Sequence, residues 1–316
     1  MPRFCVSITK NKKGFRGAGE AETFKMIAPN LFCPDPKFES QIVGVLTTHL
    51  FKNILSSLQG TATSISCLYD IYEDMRLYCD CPDIDKKYML DGQSVLPSIQ
   101  KQRLMNNGYL YAGHDLPVWI NSQETNDVLK ADCRIMILGR DPRRKPYEMY
   151  EMNPTQDQTT VSSPFGMHCR LHRRKTQEIP YLTNEIIRCA TNCNKTVSVY
   201  ITDFYKFKRT NDSVMDILNK RLYDAAYQNE IATFMPHVII LLGIDVMKAV
   251  GLPLSTPYFT IQKIGNQFYL PIPHPSGLNN RTIQKVKAHF GKPNQETKQF
   301  FAEMICKQLK DFCCND

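Results

Sequence analysis

Arg134–Leu138 reads RIMIL and runs straight into Gly139-Arg140-Asp141-Pro142. A short β-rich apolar run stopped by a glycine is the mark of a buried strand with a turn at its end. The same form recurs downstream as Val197–Thr202 (VSVYIT) before Asp203, Val238–Leu242 (VIILL) before Gly243, and Phe268–Ile272 (FYLPI) before Pro273. Helical pattern follows the runs, and this alternation predicts an α/β fold: a three-layer α/β/α sandwich around a central parallel sheet. In such sheets the ligand crevice lies outside the carboxyl ends of the strands. The residues directly after each run are therefore expected to converge.

Those residues carry chemistry. The first run delivers Arg140 and Asp141, the second Asp203-Phe204-Tyr205-Lys206, and the fourth His274-Pro275-Ser276-Gly277-Leu278-Asn279-Asn280-Arg281. Between the first two lies Ser162-Ser163-Pro164-Phe165-Gly166. Two carboxylates, an imidazole and an aromatic ring would then share one crevice, with Ser, Asn and Arg groups beside them to hold phosphate.

Upstream the texture differs. From Pro36 to Tyr78 apolar residues recur at helical spacing, among them Ile42, Val45, Leu46, Leu50, Ile54, Leu58, Ile65, Leu68, Ile71 and Met75. Two or three helices are expected there, and residues 1–115 are read as a helical N-terminal extension to an α/β domain over 116–316. The whole chain has 316 residues, 42% hydrophobic and 22% charged, which excludes disorder throughout. Its net charge of +8 suits a polyanionic partner. The longest apolar stretch, from His237 to Gly243 and on toward Val250, is broken by Asp245 and Lys248, well short of the roughly 20 residues a bilayer requires. No membrane association is expected.

Twelve cysteines would fit a disulfide scaffold only in a short secreted chain, and Met1–Gly14 lacks a long apolar region. Free thiols, a reducing compartment and a cytoplasmic location are expected. Cys79-x-Cys81, Cys189-x3-Cys193 and Cys313-Cys314 lack the paired C-x2-C spacing of a strong metal or cluster site. His168, Cys169 and His172 are interleaved with Arg170, Arg173 and Arg174 and read as a basic helix start. No metal and no cofactor is expected.

In their order, Gly139 to Pro142 as G-x-D-P and His274 to Leu278 as H-P-S-x-L resemble the first and last motifs of the uracil-DNA glycosylase superfamily, over about residues 130–310. The resemblance implies base flipping, in which the nucleotide leaves the stack and is held in a pocket that reads its edge. It places Phe165 as the ring stacked on the base, Asp203 as the reader of the base, and Leu278 as the wedge left in the vacated space. It makes Asp141 the group that positions or deprotonates the attacking water and His274 the donor to the departing base. Arg140 and Arg143 are grouped with the base-binding residues; Ser163, Lys206, Ser276, Asn280 and Arg281 join Leu278 as DNA contacts. DNA is the implied partner, and a monomer is expected. Each residue also has a plain structural reading: Asp141 as a turn start, His274 as a loop histidine, Phe165 and Leu278 as packing, Lys206 with Lys208 and Arg209 as a solvated face.

The departures from the family bear on the substrate. Uracil-specific members carry Asn at the reading position, whereas an ionised Asp203 only accepts hydrogen bonds and suits the exocyclic amine of cytosine. A protonated Asp203 would also pair with uracil, so this residue alone does not settle the base. The tyrosine that guards C5 of the pyrimidine in that branch is replaced by Arg143, and Pro146–Thr160 forms a longer connection carrying Asn153, Gln156, Asp157 and Gln158. Together these favour a cytosine enlarged at C5, hydroxymethylated or glucosylated, as in the DNA of some phages. Neither catalytic motif carries a lysine, so a monofunctional enzyme leaving an abasic site is expected. A uracil repair glycosylase and a non-catalytic DNA-binding protein on the same fold are the alternatives.

Overall fold

The computed structural model describes residues 35–46, 48, 114–122, 127–140, 161–162, 178–206, 215–275 and 279–313. In chain order these contain α1 (Pro36–Leu46), β1 (His114–Asp115), β2 (Val118–Asn121), a 3-10 turn (Val128–Lys130), β3 (Cys133–Gly139), β4 (Val161–Ser162), α2 (Glu178–Thr191) and β5 (Val197–Asp203). They continue with α3 (Met215–Phe234), β6 (Val238–Leu242), α4 (Ile244–Ala249), β7 (Gln262–Ile264), β8 (Gln267–Ile272), α5 (Asn280–His289) and α6 (Thr297–Cys313).

Six strands make one sheet in the order β2-β5-β3-β6-β8-β7, and β1 pairs with β4 apart from it. The inner four are the four runs read from the sequence, and they are parallel. Every residue of β5 and of β6 is buried, as a strand must be when helices cover both faces. The sheet is nevertheless mixed, because β2 and β7 add antiparallel strands to its two edges. At one edge the reason is local: β7 and β8 are joined only by Gly265-Asn266, with Gly265 at φ +58°. A two-residue connection cannot cross over to a parallel neighbour.

The helix expected after Pro36 is present, and it belongs to the core of the sheet. Phe38, Ile42, Val43 and Leu46 are all buried, at the helical spacing that makes one apolar stripe. The Phe38 ring meets Trp119 of β2 edge-on at 5.2 Å, Tyr200 of β5 at 6.0 Å and Phe234 of α3 at 5.9 Å. Asp35 fixes the helix start: one carboxyl oxygen accepts from Phe38 N at 3.0 Å, the other from Val128 N at 3.0 Å. A helix cap is thereby tied to the turn that leads into β3. The other helices expected before residue 78 lie outside the described residues.

At the opposite end of the sheet from the crevice, Asp132 and Thr196 clasp the starts of β3 and β5. Thr196 donates to the Asp132 carboxyl from its N at 2.8 Å and its hydroxyl at 2.7 Å, and these bonds hold that carboxyl below its ordinary range. On the helical layer, α2 packs against α6. Cys189 of α2 is joined to Cys306 of α6 by a disulfide with Cα atoms 6.0 Å apart, and Cys133 and Cys193 are also disulfide-bonded. The expectation of free thiols fails at all four residues. The reason is spatial: the two partners of the bridge are 117 residues apart in sequence and meet only because these helices pack together. Cysteine usage therefore no longer argues for a reducing compartment. Among the described residues, no helix is long and apolar enough to cross a membrane.

Candidate active site

Four parallel strands bring their carboxyl ends to one edge of the sheet. Gly139, which closes β3, is the direct partner of Asp203, which closes β5. The pairing runs on past both strands, since Phe204 N donates to Gly139 O at 2.9 Å and Tyr205 N to Arg140 O at 2.8 Å. Arg140 is thus fixed beside Asp203 by backbone alone. Asp203 is 3% exposed, so a buried carboxyl sits at the end of the second strand, where the sequence placed the base reader.

On the other side of the same edge, β6 ends at Gly243 and β8 leads to His274. Gly243 N donates to Ile272 O at 2.8 Å, which draws the two strand ends together. Gly243 has φ +88° and ψ 172°, a conformation open in practice only to glycine. A Cβ built on it would lie 3.0 Å from the Cβ of His274. The imidazole-bearing residue is seated directly against a bare stretch of backbone. The His274 carbonyl accepts from Asn279 Nδ2 at 3.4 Å, which ties the segment after the histidine back to it. His274 itself is partly exposed.

Between Asp203 and His274 lie β3 and β6, which is three strand spacings or roughly 14 Å. A salt bridge crosses that interval: Arg140 Nη1 stands 3.2 Å from Asp245 Oδ2 at the start of α4. Tyr258 lies close to the same carboxylate. Its half-buried phenol is pushed up mainly by burial and further by the charge of Asp245. In the sequence Asp245 stands out only as a break in an apolar stretch, although it follows the third apolar run by three residues. The rule that strand-end residues converge applies to Gly243-Ile244-Asp245 as much as to the other three segments.

Arg140, Asp203 and His274 are therefore brought to one edge. Asn280 and Arg281 open α5 just beyond it and are exposed. Lys206 is different. Expected on a phosphate-facing surface, it is 1% exposed, and its Nζ lies 2.7 Å from Glu230 Oε2 of α3. A buried ammonium with an internal counter-ion does not reach a phosphate, so Lys206 is not the DNA contact expected of it. Asp141, Arg143, Ser163, Phe165, Ser276 and Leu278 lie outside the described residues, as do His168, Cys169 and His172.

Such an arrangement, with polar groups gathered at the strand ends of an open α/β sheet, defines a class of ligand-binding α/β protein with its site at that edge. The family model for the uracil DNA glycosylase superfamily matches residues 127–298. That is more than half of the chain, and it takes in all four strand ends. The chain belongs to this superfamily, whose members are DNA glycosylases, hydrolases that act on DNA. No curated protein matches the chain.

Proposed function

We propose that the protein is a monofunctional DNA glycosylase that flips out a pyrimidine and hydrolyses its N-glycosidic bond. We further propose that its base is a cytosine enlarged at C5, hydroxymethylated or glucosylated, in foreign phage DNA. The observation that carries this reading is the buried carboxyl of Asp203, held beside Gly139 at the end of β5, and it acts together with Arg143 at the C5 position and the long connection Pro146–Thr160. A carboxylate there accepts from the cytosine amine and meets the O4 of uracil with like polarity.

In the proposed reaction, water adds its oxygen to C1′ while the bond from C1′ to the base nitrogen breaks. The bonding electrons leave with the base. Asp141 takes the proton of the water and faces the positive charge growing on the sugar, and His274 donates to the oxygen of the departing pyrimidine. Phe165 stacks on the flipped base, Arg140 and Arg143 stand beside it, and Leu278 fills the gap in the duplex. Ser163, Ser276, Asn280 and Arg281 hold the flanking phosphates. The burial of Lys206 against Glu230 also fits a monofunctional enzyme, because a lyase step needs an accessible amine to attack the sugar.

The test offers the purified protein identical oligonucleotides containing uracil, cytosine, hydroxymethylcytosine or glucosylated hydroxymethylcytosine, followed by hot alkali. Scission is expected at the enlarged cytosines, with unmodified cytosine spared. Asp203→Asn should lower that activity by about 10²-fold, in the range found when one preorganised polar group is removed from an active site. Scission at uracil alone would make the protein a repair enzyme. Binding without scission, unaffected by Asp141→Asn, would make it a non-catalytic reader of DNA.

A further inference from the structure

Behind the candidate base reader lies a closed polar network. The Lys206 ammonium has three hydrogens and three acceptors: Asp203 O at 2.5 Å, Thr202 Oγ1 at 2.6 Å and Glu230 Oε2 at 2.7 Å. The other oxygen of Glu230 accepts from Tyr200 Oη at 2.7 Å and from Thr202 Oγ1 at 3.0 Å. Lys206 and Glu230 are 1% and 0% exposed. Tyr200 and Thr202 alternate along β5 and so share one face of it; that face looks toward α3, which carries Glu230 and stacks Phe234 on the Tyr200 ring at 5.1 Å.

Stability is a weak reason for such a network. Burying two ions is costly, and a well-packed apolar pair of similar volume commonly serves a fold as well or better. What an apolar pair cannot do is grip a carbonyl. The carbonyl gripped here belongs to Asp203, at the point where the chain leaves β5 and bends through residues 204–206. We propose that Lys206 and Glu230 are positioning residues for base recognition. Through the Asp203 carbonyl they fix the backbone from which that residue presents its carboxyl. The inference rests on Asp203 being the reader, and it assigns the charged pair a role in selecting the base.

The experiment uses the full chain and the variant Lys206→Met/Glu230→Gln, which removes the grip without leaving an unpaired buried charge. Three readouts are taken: thermal midpoint, amide hydrogen exchange, and excision rates on the same four oligonucleotides. The Phe204 and Tyr205 amides, bonded to Gly139 O and Arg140 O, should exchange at least tenfold faster while the amides of β6 stay protected. Discrimination between the preferred base and uracil should fall at least tenfold at a midpoint within a few degrees of wild type. Added to Asp203→Asn, the double substitution should cost less than threefold more, because both act through one residue.

Unchanged exchange at Phe204 and Tyr205 overturns the proposal, and so does a loss that simply multiplies with that of Asp203→Asn. If the double variant does not fold, Thr202→Val removes the hydroxyl that both ions share and is judged by the same readouts. An Asp203→Asn protein with wild-type rates on every base would sink the reader assignment instead, while the exchange data still decide whether the pair holds this backbone.

Discussion

Gly243 shows how one residue can fix a site without supplying any chemistry. It combines two constraints that come apart experimentally: a backbone conformation open only to glycine, and a neighbour, the His274 Cβ, where a side chain would go. Gly251 has a similar φ of +79° but nothing within 4 Å of a built Cβ. Gly251→Ala should therefore cost only backbone strain, about 1–2 kcal/mol in a denaturant melt, with excision unchanged. Gly243→Ala should cost at least as much and in addition lower excision by tenfold or more, because His274 must move to admit the methyl. Equal activity in the two variants would show that the seat of His274 tolerates displacement.

Among the elements, α1 is the one that the sequence assigns to an N-terminal extension and the fold packs against the sheet. Its buried stripe and the Asp35 cap bind it to β2, β5 and α3. Such a helix is a structural part of the sheet's own core. Phe38→Ala should accordingly destabilise the protein by roughly 3–5 kcal/mol, as expected for deleting a buried aromatic ring. Urea denaturation followed at Trp119, the single tryptophan of the chain and an edge-on neighbour of Phe38, reads this directly. A loss below about 1 kcal/mol would mean that α1 only rests on the surface of a catalytic core that is complete without it.

At the scale of the whole molecule, the Cys189–Cys306 bridge pins a helix inside the match to the glycosylase superfamily to one that crosses its boundary at residue 298. It closes a loop that includes β5, β6 and β8, three of the four strands that supply the site. On the chain-entropy account such a closure contributes on the order of 4–5 kcal/mol. Peptide mapping of the unreduced protein should find the two residues linked, and a reducing agent should lower the guanidinium midpoint. Denaturation curves that coincide with and without reductant would show that helix packing alone holds α6 in place.

Local pattern determined much of this protein. Four apolar runs, each stopped by Gly, Pro or Asp, specified the inner parallel strands, because strand burial depends on the immediate sequence of side chains. The alternation of runs with helical pattern then specified which ends would meet, and so placed Arg140, Asp203 and His274 on one edge. Tertiary structure decided what local pattern could not carry. Lys206 looked like a surface charge until the fold set Glu230, 24 residues further on, behind it. Asp245 became a partner of Arg140 across 105 residues, and Cys189 found Cys306 across 117. In each case the direction a side chain takes after a strand or from a helix is set by the counter-charge, thiol or bare backbone that a distant segment places beside it, and nothing in the residue's own neighbourhood encodes that encounter.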